Sequence, residues 1–83
     1  AVVYLGVREY YQHQGIGQAL INRIEAWALN HHIRRIEATV VTENINAIEL
    51  FKGMGFQIEG ELKDKLFINQ KYYNEYVMAK ILN

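Results

Sequence analysis

The residues best placed to do chemistry lie in the stretch Leu5-Gly6-Val7-Arg8-Glu9-Tyr10-Tyr11-Gln12-His13-Gln14-Gly15-Ile16-Gly17-Gln18-Ala19-Leu20. It reads as a strand that enters a glycine-bearing loop, which opens directly into an amphipathic helix. The first N–H groups of such a helix lack intrahelical partners and its dipole is positive there, so the helix mouth attracts anions. Gly15 and Gly17 would let a phosphate approach without meeting a Cβ, and a diphosphate is the natural guest. Taken alone, the same two glycines could merely shape a tight strand-to-helix turn. Two nucleotide signatures fail here. Leu20 stands where G-x-G-x-x-G needs its third glycine, and no Gly-Lys-Ser/Thr follows at P-loop spacing.

The other chemistry-bearing residues have plainer readings. His31 and His32 are adjacent at a helix end and no carboxylate at ligand spacing joins them, so no metal site is predicted. They are expected to partner the helix C-terminal dipole. Tyr10, Tyr11, Tyr72, Tyr73 and Tyr76 lack the basic groove that single-stranded nucleic acid requires and are read as strand packing and cleft wall. Arg34 and Arg35 are read as a surface pair at a strand entrance.

These residues need elements to hold them. Residues 1 to 7 form a β-branched and apolar run, read as a buried strand. Ile16, Ala19, Leu20, Ile24, Trp27 and Ala28 follow helical spacing up to Asn30. Alternation over residues 35 to 41 predicts a second strand. Asn44 is expected to cap a short helix with Ile45, Ile48 and Phe51 as its buried stripe, and Gly55 to stop it in the left-handed conformation. Phe56, Ile58 and Gly60 open a third strand, running on to Ile68 through a bulge around residues 62 to 64. Asn69-Gln70-Lys71 is then a turn, and Tyr73 to Leu82 alternates as an antiparallel strand. The order β-α-β-α-β-β predicts a mixed α/β fold, with a right-handed parallel βαβ unit beside an antiparallel hairpin. Such a sheet should leave a face or an edge incompletely covered.

Composition narrows the function classes. Eighty-three residues, 51% hydrophobic and 22% charged, suit one partial or small globular domain spanning 1–83. Nine Lys and Arg balance nine Asp and Glu, which argues against nucleic-acid and membrane-surface partners. No apolar run reaches the ~20 residues of a membrane span. Cysteine is absent, so no thiolate chemistry is available, and a reducing, cytoplasmic setting is expected. The chain is expected to begin abruptly inside a strand.

With the two nucleotide signatures set aside, Gln12-x-x-Gly15-x-Gly17 remains, and here the sequence resembles the GCN5-related N-acetyltransferase (GNAT) family. Asn44-x-x-Ala47-Ile48-x-Leu50-Phe51-x-x-x-Gly55-Phe56 matches a second family segment, and Gly60-Glu61-Leu62 with Asn69-Gln70-Lys71-Tyr72-Tyr73 resembles its closing hairpin. The resemblance covers nearly the whole chain but only the C-terminal half of the family fold.

It implies an N-acetyltransferase, or its cofactor half, that moves acetyl from acetyl-CoA to a primary amine by direct attack, with no metal. It further implies that backbone N–H groups of Gln12, His13, Gln14, Gly15, Ile16, Gly17 and Gln18 hold the pyrophosphate. The edge at Leu5, Gly6 and Val7 would pair with pantetheine and offer an amide to the thioester oxygen, and Asn44 would contact the cofactor arm. The family's general acid is a Tyr where this chain has Phe51, so the acid and the base stay unassigned, with Glu37 and the tyrosines as candidates. The expected partners are a small-molecule or peptide amine, and either a second copy or the missing N-terminal half. The alternatives are a non-catalytic CoA-binding or self-association module, and a nucleotide- or phosphate-binding βαβ fragment.

Overall fold

Ile36, Ala38 and Val40 alternate with Arg35, Glu37, Thr39 and Val41, and this period of two separates one wholly buried side of a strand from a half-buried side. That strand is the middle of the molecule. The computed structural model describes residues 2–7 and 14–82, with side chains at Tyr4 and from Gly17 to Leu82. In chain order the elements are β1 (Val2–Val7), α1 (Gln14–Asn30), β2 (Arg35–Val41), α2 (Ile45–Gly53), β3 (Gln57–Ile68) and β4 (Lys71–Ile81). The sheet order is β1-β2-β4-β3, with β1 parallel to β2 and β4 antiparallel to both β2 and β3. The expected mixed α/β sheet is therefore the observed one.

Both helices cover the same face. Ile21 and Ala28 of α1 and Ile48 and Phe51 of α2 pack with Ile36, Ala38, Val40, Met78 and Leu82 into one cluster. Complete burial of side chains such as Ile36, Met78 and Val40 contributes about 1.5–3 kcal/mol each. The opposite face, with Glu37, Thr39, Val77 and Ala79, carries no helix of the described chain.

Several sequence expectations are corrected. The helix α1 starts at Gln14, two residues before the expected Ile16. Its buried stripe is Ile21, Ile24 and Ala28, whereas Ala19, Leu20 and Trp27 are exposed. Leu20 and Trp27 fit a helical repeat too, and only the position of the sheet selects between two overlapping stripes. In α2, Ile48 and Phe51 are buried as expected, but Ile45 in the first turn faces solvent. Tyr72, expected as packing, is likewise exposed, and its ring leans on Phe67. Lys71 belongs to β4, because the hairpin needs only Asn69 and Gln70. Both have positive φ, 52° and 63°, as in the two-residue turn whose twist matches that of its strands. The β3–β4 pairing is irregular between Leu62 and Leu66, where the bulge was expected, and also between Ile58 and Gly60.

The two helices end alike. Phe56 N–H reaches back to the Phe51 carbonyl (2.9 Å) past Gly55 at φ 96°, and the two rings meet edge to face. Ile33 N–H reaches the Ala28 carbonyl (2.8 Å) past His32 at φ 59°. Each is a left-handed stop in which a backbone bond and an apolar contact close the last turn.

Candidate functional site

The first turn of α1 positions the candidate anion site. The N–H of a helix's fourth residue is already taken up by the cap carbonyl, as Ile48 N–H is by Asn44 in α2, so in a helix that begins at Gln14 the free amides end before Gly17 and Gln18. Gln14, Gly15, Ile16 and Gly17 are thus helical, and no acidic side chain stands in that turn to oppose an anion. Gln12 and His13 lie outside the described residues, as do Tyr10 and Tyr11. Leu5, Gly6 and Val7 form the carboxyl end of β1, in register with Ala38, Thr39 and Val40. Among the described strands β1 pairs only with β2. The carboxyl ends of parallel strands, together with the helix mouth that follows, form the usual ligand crevice of an open α/β sheet.

Gly17 has a second reason to be glycine. A Cβ built there would lie 2.7 Å from Leu50 Cδ2, so the missing side chain leaves room for the Leu50 side chain against the start of α1. Asn44 begins α2, and its Oδ1 accepts the Ala47 N–H at 3.3 Å. It is therefore the expected cap, and it brings the start of α2 to the same edge of the sheet, one turn beyond β2. Phe51 is 3% exposed and belongs to the core against Phe56. Neither its chemistry nor its burial allows it to act as a proton donor.

The charged groups sort into committed and uncommitted ones. Lys80 Nζ bonds the Met54 carbonyl at 2.7 Å and both oxygens of Glu25 at 3.2 and 3.1 Å, tying the end of α2 and the flank of α1 to β4. Arg35, expected as a surface residue, lies across the helix-free face and pairs with Glu37 and Glu59. The Arg35 guanidinium holds the Glu59 carboxyl below the usual carboxylate range, and Glu59 and Glu37 together raise the guanidinium above its own. Glu37, a candidate base, is thereby engaged. His31 stacks on Trp27 with ring centroids 4.2 Å apart, and its Nδ1 sits 2.8 Å from the Trp27 carbonyl, so it does serve the helix C-terminus.

Glu75 is the residue that reading the sequence passed over. It is 4% exposed, the one buried charged side chain among the described residues. The signal was present, because Glu75 shares its alternation with Val77, Ala79 and Ile81, and a carboxylate in an otherwise apolar row calls for a reason. Among the described residues no group of three or more metal-ligating side chains exists, and no helix is long and apolar enough to cross a membrane.

Comparison with known proteins gives this geometry a context. The model of the acetyltransferase (GNAT) domain matches residues 2–77. The L-amino acid N-acetyltransferase AaaT of Escherichia coli is 33% identical over 72 residues, which is 86% of this chain and 44% of that protein. Among solved structures, Arabidopsis thaliana NAA60 in complex with a bisubstrate analogue superposes with a TM-score of 0.84 at 31% identity, covering 99% of this chain and 49% of that one. A spermidine N-acetyltransferase SpeG chimera of Vibrio cholerae and hSSAT superposes with a TM-score of 0.78 at 31% identity, covering 84% and 43%. The chain spans about half the length of the relatives it matches.

Proposed function

Because the chain belongs to the GNAT acetyltransferase family, we propose that it is the cofactor-binding half of an N-acetyltransferase acting on a primary amine, with acetyl-CoA as acyl donor. The observation that carries this reading is that α1, and α2 with its Asn44 cap, both begin beyond the carboxyl ends of the parallel strands β1 and β2. The residues present fit such a donor: helix-mouth amides with no acidic side chain in the first turn suit a pyrophosphate, and the backbone of a strand suits an extended amide-bearing arm. Relatives named for L-amino acids and for spermidine support an amine as acceptor.

The amides of Gln14, Gly15 and Ile16, with those of Gln12 and His13, hold the pyrophosphate, and Gly17 keeps a side chain out of its path. Leu5, Gly6 and Val7 pair with the pantetheine arm and aim one N–H at the thioester oxygen. A donor so placed strengthens its hydrogen bond as that oxygen gains charge, an effect worth several kcal/mol in comparable sites. Asn44 contacts the arm beside α2 while it caps the helix. Acetyl-CoA, when bound, supplies the acyl group and a sulfur leaving group that departs without help from Phe51. A protein of this kind acts in the cytoplasm, and the N-terminal half of the fold or a second copy completes the acceptor pocket.

Calorimetry of the full chain with CoA tests the reading. Micromolar binding is expected, and Gly15→Val should weaken it at least tenfold; a folded protein that gives no heat with CoA refutes it. The buried phenyl ring of Phe51 in the position of the family acid favours one alternative, a CoA-binding module without catalysis. Thiol release from acetyl-CoA across polyamines, amino acids and peptide N-termini separates the two.

A further inference from the structure

We infer that Glu75 receives the ammonium group of the acceptor amine and takes its proton, an assignment that rests on the acetyl-transfer reading. Glu75 lies in β4, opposite Val41 of β2 and Leu62 of β3. Strand alternation puts it on the face opposite Met78, and so on the side without helices. Its row is the first beyond the end of β1, since Val7 pairs with Val40 and Val40 with Tyr76. Two strand spacings, about 10 Å, separate β4 from the β1 edge. A carboxylate, an ammonium at ~2.8 Å and an acyl carbon at ~3–3.5 Å from the nitrogen fill that span.

A buried carboxylate held for structural reasons is normally hydrogen-bonded or paired, because stripping its water without compensation is costly. Glu75 makes no hydrogen bond or ion pair with any described residue. Among those residues no fully enclosed side-chain oxygen lacks a partner, so the oxygens of Glu75 remain open to solvent from one side. No described Lys or Arg lies within ion-pair distance of Glu75: Arg35 pairs with Glu37 and Glu59, Lys71 with Glu43 at 3.3 Å, and Lys80 with Glu25 on the other face. What is left is a negative group at the bottom of an apolar frame made by Val41, Leu62 and Val77. That frame fits an alkylammonium, whose charge meets the carboxylate while its stem lies on the aliphatic side chains.

The step balances simply. One proton passes from the ammonium nitrogen to a Glu75 oxygen and its electron pair stays on nitrogen; that pair forms the C–N bond, the C–S bond breaks with its pair leaving on the thiolate sulfur, the nitrogen's surplus proton goes to that thiolate or to solvent, and Glu75 returns its own proton to solvent.

The experiment compares the full chain with Glu75→Gln, using 1,4-diaminobutane as the probe. Diamine binding should shift the amide resonances of Val41, Glu75 and Val77, and Glu75→Gln should weaken that binding about tenfold or more. The affinity for CoA should not change. With acetyl-CoA present, kcat/KM for the diamine should fall by roughly 10²–10⁴-fold, and Glu75→Asp should restore part of it. Diamine affinity and kcat/KM that match the wild type in Glu75→Gln overturn the assignment even where CoA binds normally. Glu75-dependent diamine binding by a wild type that ignores CoA would instead sink the acetyl-transfer reading and leave the amine site standing. If Glu75→Gln fails to fold, Glu75→Asp serves alone: it keeps the charge but withdraws it by one methylene, and wild-type affinity and turnover in it overturn the assignment.

Discussion

Gly17 shows how one position answers to two demands. Its sequence setting suggests a phosphate, while the structure shows Leu50 occupying the space a side chain would take. Gly17→Val should therefore lower stability by about 1–3 kcal/mol through overpacking, independent of any ligand. Denaturant unfolding checks this, and adding Leu50→Ala should recover part of the loss, since residues in contact are not additive. Glu59 answers to Arg35 in the same residue-by-residue way. Its carboxyl is held below the ordinary value by Arg35, so the native state binds that proton less readily than the unfolded chain. The resulting stability is present above the unfolded glutamate value and is lost as pH falls through the lower, folded one. Glu59→Gln should thus flatten the acid side of the stability profile and change little near neutrality, where an exposed pair is screened. Melting temperatures at pH 7 and in the acid range distinguish the two behaviours.

At the scale of elements, the two helix stops are a matched pair with different residues. Gly55 adopts φ 96° at no steric cost, whereas His32 holds φ 59° with a Cβ that resists it. His32→Gly should stabilise the protein by about 1 kcal/mol, because the left-handed conformation costs ~1–2 kcal/mol in residues other than glycine. An unchanged or lower unfolding free energy would mean that the imidazole makes a compensating contact. The hairpin extends the same logic, since Asn69 suits its left-handed position while Gln70 does not. Element boundaries follow from such stops. The Gly55 stop was readable from its residue type, but His32 carries no glycine signal, and the Ile33 bond that closes α1 is visible only in three dimensions.

For the molecule as a whole, the sheet order decides where stability lies. The strands β2 and β4 each have a strand on both sides, and one face of each is sealed by the helices. The β3 strand, by contrast, is exposed along nearly its whole length. Glu59, Glu61, Lys63, Asp64 and Lys65 put charge along that edge, and two register shifts interrupt it, which together discourage pairing with other chains. Hydrogen exchange should accordingly be slowest at residues 36–40 and 76–79 and fastest in the hairpin from 63 to 70, by several orders of magnitude. Equal protection of the hairpin in the full chain would show that another part of the protein covers it.

The element order, the bulge, the capping role of Asn44 and the core position of Phe51 were all legible in the chain. Each depends on local spacing or on the chemistry of one residue type, and local rules suffice for both. The phase of α1 was not legible, since the stripe through Leu20 and Trp27 and the one through Ile21 and Ala28 are both helical and only the sheet chooses between them. The same holds for the second role of Gly17 and for the isolation of Glu75. Contact with Leu50, 33 residues away in the chain, and the lack of any described cation within ion-pair distance of Glu75 arise only when distant segments are packed together.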